Sequence, residues 1–115
     1  MKLREVSQIL NAQVLCGEEY LDTEVLSACG SDMMSDVLAY VKDQAILLTG
    51  LVNPQAVRTV IMMDMKCICF VRGKMPDDKI LEIARDNSIV VMCTKEGLFA
   101  ACGKLYQNGL VGEGT

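Results

Sequence analysis

Residues 67 to 94, CICFVRGKMPDDKILEIARDNSIVVMCT, read as strand, glycine turn, proline-started helix and second strand, and that order admits few folds. Cys67 to Val71 is an apolar run without alternation. Such a run suits a strand covered on both faces of a parallel sheet. Gly73 supplies the turn. Pro76 and Asp77 favour a helix start, through the missing proline N–H and a capping carboxylate, and Ile80, Leu81 and Ala84 give that helix one apolar stripe. Asn87 tolerates the left-handed conformation that ends a helix. Ile89 to Cys93 is a second continuous apolar run, and the connection is long enough for a right-handed crossover between parallel neighbours. The stretch is therefore a βαβ unit.

The same alternation begins upstream at Ala45 to Thr49, and the three strand starts, Ala45, Cys67 and Ile89, are evenly spaced. Beyond the apolar runs the segments share almost no identities, so the period belongs to the topology of one sheet and not to a solenoid. In the first half, a helix from Leu3 to Asn11 places Val6, Ile9 and Leu10 on one face. Short strands follow at Gln13 to Cys16 and Val25 to Cys29, separated by a turn at Gly17-Glu18-Glu19. A second helix should start near Asp32, capped by Ser31 or Asp32, with Met34, Val37, Leu38 and Val41 at buried spacing. The fold expected is a single three-layer α/β domain with a mostly parallel central sheet flanked by helices.

The order of amphipathic N-terminal helix, VLCGEEYLD, strand ILLTG, helix, ICFVRGKMPDDKILEIARDNSIVVMCT and closing helix resembles the DRTGG domain. That domain accompanies some phosphotransacetylases and regulated pyrophosphatases and is similar to the N-terminal domain of HPr kinase/phosphorylase. The resemblance spans roughly residues 2 to 110 and leaves no second domain to carry an activity. Where the family has Asp-Arg after the first core strand, this chain has Val52 and Asn53. Where the family has Thr-Gly-Gly it has Val71, Arg72 and Gly73, so only Gly73 is kept. The domain is read as residues 1–110, followed by a flexible tail at 111–115. The resemblance also implies a homodimer.

Composition supports one packed domain: 51% of 115 residues are hydrophobic, with eight Met making up for two Phe, three Tyr and no Trp. No apolar run approaches the roughly 18 residues of a membrane span, and the N-terminus carries charge before any apolar core, so a cytoplasmic protein is expected. A net charge of −4 without a basic stripe argues against nucleic acid as a partner.

Six cysteines invite a metal or disulfide reading. Cys67 and Cys69 share a strand face but lack the loop that turns two thiolates toward one ion. Cys67 and Cys93 should lie about 13 Å apart along parallel strands. Cys102 falls on the apolar face of the last helix with Leu98 and Leu105, and only for Cys16 and Cys29 does the sequence leave proximity open. Reduced, packed thiols are expected, with no metal and no cofactor.

The chain has no His, hence no ordinary general base near neutral pH, and no GxxxxGK[ST] loop for phosphoryl transfer. Asp77 and Asp78 sit where a helix N-terminus favours negative charge. In open α/β sheets ligands gather beyond the carboxyl ends of the strands. Here that rim would bring together Thr49, Gly50 and Asn53, then Arg72, Gly73 and Lys74, then Thr94 and Lys95, a set suited to an anion. The same residues also suit plain capping, turns and solvated charge. The sequence thus predicts a non-catalytic regulatory or protein-interaction module. The alternatives are a sensor of a nucleotide or phosphorylated metabolite at the rim, and a redox or metal-cluster accessory protein.

Overall fold

A computed structural model describes residues 1–40 and 45–112. The elements in chain order are α1 (Leu3–Ile9), β1 (Gln13–Cys16), a 3-10 turn (Glu18–Tyr20), β2 (Ala28–Gly30), α2 (Met34–Tyr40) and β3 (Ile46–Thr49). There follow α3 (Pro54–Met62), β4 (Cys67–Phe70), α4 (Asp78–Asp86), β5 (Val90–Cys93) and α5 (Leu98–Gln107). The five strands form one sheet in the order β1-β5-β4-β3-β2. β2, β3, β4 and β5 are parallel, and β1 closes the edge antiparallel to β5 with an irregularity between Val14 and Cys16.

The unalternating apolar runs have the cause expected of them: β3, β4 and β5 are buried on both faces. Leu48, Cys69 and Met92 point with Leu3, Val6, Leu10, Ala101 and Leu105 into the layer beneath α1 and α5. Leu47, Ile68, Phe70 and Val91 point into the other layer, against Val37, Val57, Val60, Ile80 and Ala84 of α2, α3 and α4. The three-layer architecture follows directly from that division.

The helices start and stop by local chemistry. Asn53 Oδ1 accepts from the Ala56 N–H at 3.0 Å ahead of Pro54, and Asp77 Oδ1 accepts from the Ile80 N–H at 3.0 Å. Four helices then end in one motif. After α1, α3, α4 and α5 a residue with positive φ, Asn11, Asp64, Ser88 and Gly109 respectively, turns the chain. The next N–H reaches back five residues, as from Met65 to Val60 and from Ile89 to Ala84, which is the Schellman pattern. The left-handed residue after α4 is thus Ser88 and not Asn87, which sits at φ −119 and donates its amide to the Ile83 carbonyl at 2.9 Å.

The first half departs further from expectation. The strand read at Val25 to Cys29 forms at Ala28–Gly30. In α2, Met34 and Val37 are buried but Leu38 is 40% exposed, because the stripe is narrower than its spacing suggested; Val41 lies outside the described residues. The tail read as free from 111 is held at its start. Val111 donates to Leu26 O and accepts from Ala28 N–H, and 113–115 lie outside the described residues. No helix among the described residues is long and apolar enough to cross a membrane.

The cysteine geometry is settled by the sheet. Cys16 on β1 and Cys29 on β2 lie on opposite edges, four strand spacings or roughly 19 Å apart. Cys93 pairs with Phe70, three residues beyond Cys67, so those two are separated by about 10 Å along the strands. Burial pushes the Cys69 thiol up to about 12 and Cys67 well above its usual range, which disfavours the thiolate a metal or a nucleophilic step needs.

Candidate functional site at the carboxyl rim of the sheet

The carboxyl ends of β2 to β5 open on one rim, where the loops carry the residues singled out from the sequence. They do not all face a common space. The organising group is Asp32, which the sequence placed as a helix cap. Neither Ser31 nor Asp32 caps α2, which starts at Met34; Ser31 Oγ accepts from the Met33 N–H at 3.0 Å in the turn ahead of it. Asp32 instead reaches across to β3 and β4. Its Oδ1 accepts from the Gly50 N–H at 2.6 Å and from Thr49 Oγ1 at 3.1 Å, and its Oδ2 accepts from the Arg72 guanidinium at 3.2 Å. The Gly50 N–H is the chief cause that holds the Asp32 carboxyl below the usual carboxylate range, with Arg72 and Thr49 adding to it against partial burial.

The neighbouring groups are engaged as well. Lys74 Nζ donates to the Gly50 carbonyl at 3.1 Å, and Thr49 Oγ1 accepts from the Leu51 N–H at 3.1 Å. Gly50 must be small for this: a Cβ there would stand 2.7 Å from Arg72 Cζ. Thr94 is buried and donates its hydroxyl to the Leu10 carbonyl at 2.7 Å, tying the rim to the end of α1. Asn53 is occupied as the cap of α3.

Arg72 and Gly73 form the turn itself. Both have positive φ, +60 and +69, and the Lys74 N–H donates to Val71 O at 3.3 Å, the pattern of a type I′ turn. Arg72 N–H and Gly73 N–H are bonded to Glu96 O and Thr94 O, each at 2.8 Å, so the turn is pinned to the loop after β5. Arg72 adopts a conformation that costs a residue with a Cβ on the order of 1 kcal/mol. Its ion pair with Asp32 is one interaction set against that cost. Gly73 has open space around a would-be Cβ. Gly73→Val should therefore destabilise by about 1 to 3 kcal/mol through backbone strain alone. Gly73→Asn should stay within roughly 0.5 kcal/mol, since Asn tolerates this region; urea unfolding of the two variants measures the difference.

One part of the rim is open. A cleft of about 360 Å³ lies beside β5, lined by Asn11, Gln13, Gly73, Met75, Thr94 and Lys95 among others. Lys95 is exposed and forms no ion pair among the described residues. Of the eight residues proposed from sequence, the structure thus gathers Thr49, Gly50, Arg72 and Lys74 around Asp32, places Gly73, Thr94 and Lys95 on the open cleft, and sets Asn53 apart as a cap.

This arrangement of helix-flanked parallel strands, with a positive-φ turn after β4 where the sequence showed Val71-Arg72-Gly73, agrees with a family model for the DRTGG domain that matches residues 5–107. The chain belongs to the DRTGG domain family. A crystal structure of the CBS and DRTGG domains of the regulatory region of Clostridium perfringens pyrophosphatase, complexed with the activator diadenosine tetraphosphate, superposes with a TM-score of 0.73 at 18% identity. The match covers 95% of this chain and 47% of that one, so this chain spans about half the length of its structural neighbour. No functionally curated protein sequence matches it. In this DRTGG domain Arg72 occupies a left-handed position that a glycine takes without penalty, and the arginine is what lets the turn reach Asp32. No local pattern in the sequence signals that contact. Its partners lie 17, 18 and 40 residues away from Asp32, and only the sheet order brings them together.

Proposed function

We propose that this chain is a non-catalytic regulatory module, one domain over residues 1–110, that acts by association as a homodimer. The observation that carries this reading is the closure of the rim. Where an α/β enzyme would aim free donors and cations at a substrate, the Asp32 carboxylate occupies Thr49, Gly50 and Arg72, and Lys74 is turned onto the Gly50 carbonyl. The chain has no His to serve as a general base, and the membership of the DRTGG family together with the regulatory origin of the structural neighbour supports the same direction. Sedimentation equilibrium at tens of micromolar should show a species of twice the 12.6 kDa chain mass. A single species at the chain mass would remove the dimer from this reading.

A second reading is favoured by the open cleft, where Lys95 and the backbone around Gly73 face solvent beside β5. It makes the module a sensor of a nucleotide or phosphorylated metabolite; the neighbour was crystallised with a nucleotide activator. Ligand that binds only the folded state raises the melting temperature by mass action. A thermal-shift series with nucleotides and acyl phosphates separates the two readings. A shift of several degrees that disappears in Lys95→Ala selects the sensor, and no shift at millimolar ligand selects the association module.

A further inference from the structure

The side of α5 that borders the β2 edge carries Phe99, Cys102, Gly103 and Tyr106, at the i, i+3, i+4, i+7 spacing of one helical stripe, with the Cys102 thiol turned toward Gly30 and the two aromatics toward solvent. Its ends are large and its middle is small. Phe99 is 93% exposed and Tyr106 63% exposed, which is an unusual state for two aromatic side chains in a chain with only five. Between this stripe and the β2 edge runs an apolar groove of about 340 Å³, walled by Gly30, Leu48, Leu105 and Leu110 and bordered by the exposed Val111. Among the described residues, no charged one lines it.

We infer that this face binds a second copy of the chain, with the two α5 helices packed antiparallel about a two-fold axis at Gly103, and Phe99 of each copy lying against Tyr106 of the other. The inference rests on the dimer reading above and names its surface. Three observations select a second copy as the occupant. An isologous contact needs one patch that supplies both the protrusion and the recess, and here they sit side by side. Aromatic residues at the two ends of a stripe about 10 Å long, with small residues between, become mutually matched when the helix is reversed against itself. Each chain carries a net charge of −4, so copies meet with least repulsion across a surface poor in charge, and the groove has no charged lining residue among those described.

Part of the area a stable partner needs is already exposed. Covering Phe99 and Tyr106 removes on the order of 300 Å² per copy, and Leu26, 74% exposed beside Val111, extends the patch toward the roughly 800 Å² per partner of a standard interface. Gly103 leaves room for the approach, since nothing lies within 4 Å of where its Cβ would be.

The test is sedimentation equilibrium on the whole chain, on Phe99→Lys, on Tyr106→Glu and on the double variant, with thermal melts as a fold control. Both side chains are largely exposed, so the melting temperature of the isolated chain should hold. Each single variant is expected to weaken dimerisation by at least about tenfold, the loss expected of a central aromatic anchor. The double variant should recover part of it, because antiparallel packing sets the new cation beside the new carboxylate. Single variants that dimerise within threefold of the parent overturn this surface while leaving the dimer reading intact. Weak single variants without recovery in the double overturn the antiparallel pairing, and a parent chain that stays monomeric overturns both the surface and the dimer.

Discussion

Gly17→Val is expected to be the most damaging surface-loop substitution in this domain, lowering stability by about 2 to 5 kcal/mol. Gly17 turns the chain from β1 into the 3-10 turn at φ +86, a region that a β-branched residue rarely adopts. Space compounds the strain. A Cβ at this position would lie 2.9 Å from Val90 Cα and 3.3 Å from Ile89 O, and both are backbone atoms at the entry to the interior strand β5 and cannot swing aside as a side-chain tip can. Gly73, at φ +69 with open space, offers the control: the same substitution there meets strain without collision. Urea unfolding should rank Gly17→Val well below Gly73→Val. Equal midpoints would mean that β1 and β5 separate easily enough to absorb the side chain.

The second large effect concerns Asp32. Asp32→Ala should cost about 1 to 3 kcal/mol, chiefly by leaving the buried Gly50 N–H without an acceptor, whereas the half-exposed ion pair to Arg72 contributes at most about 1 kcal/mol. The sign of the pH dependence follows from the depressed carboxyl. A group with a folded pKa below its ordinary 3.8 adds stability above that value and loses it as pH falls through the lower folded pKa. The parent chain should therefore lose stability on acidification below about pH 4, and Asp32→Ala should lose less over the same range. Gly50→Ala provides a milder probe, since its methyl group displaces the Arg72 guanidinium and leaves the Asp32 to Gly50 N–H bond in place. Parallel pH profiles for the parent and Asp32→Ala would show that other carboxylates govern the acid limb.

The same contacts close the rim structurally. An internal carboxylate that takes a backbone N–H, a hydroxyl and a guanidinium fixes β2, β3 and β4 relative to one another at the end where ligands of α/β sheets gather. In the readings proposed above, the open cleft beside β5 takes a ligand and the apolar side of α5 takes a second copy.

What the sequence by itself determined was whatever depends on hydrogen bonds between near neighbours and on burial of continuous runs. Asn53 and Asp77 cap their helices as read, because a cap needs only an N–H three residues on. Cys67 to Phe70 and Val90 to Cys93 are central strands because no other element buries an unalternating apolar run of that length on both faces. The three-layer class followed from those two kinds of signal. Tertiary structure alone decided the rest. Asp32 is a competent cap by residue type, but α2 starts at Met34 and Asp32 instead reaches Gly50 and Arg72, which it meets only because β2, β3 and β4 lie side by side. Cys16 and Cys29 were left open in sequence because separation along a chain does not report strand order, and the sheet places them at its two edges. The left-handed Arg72 was equally invisible, since its backbone preference argues against that conformation, and the Asp32 contact that accompanies it comes from 40 residues away.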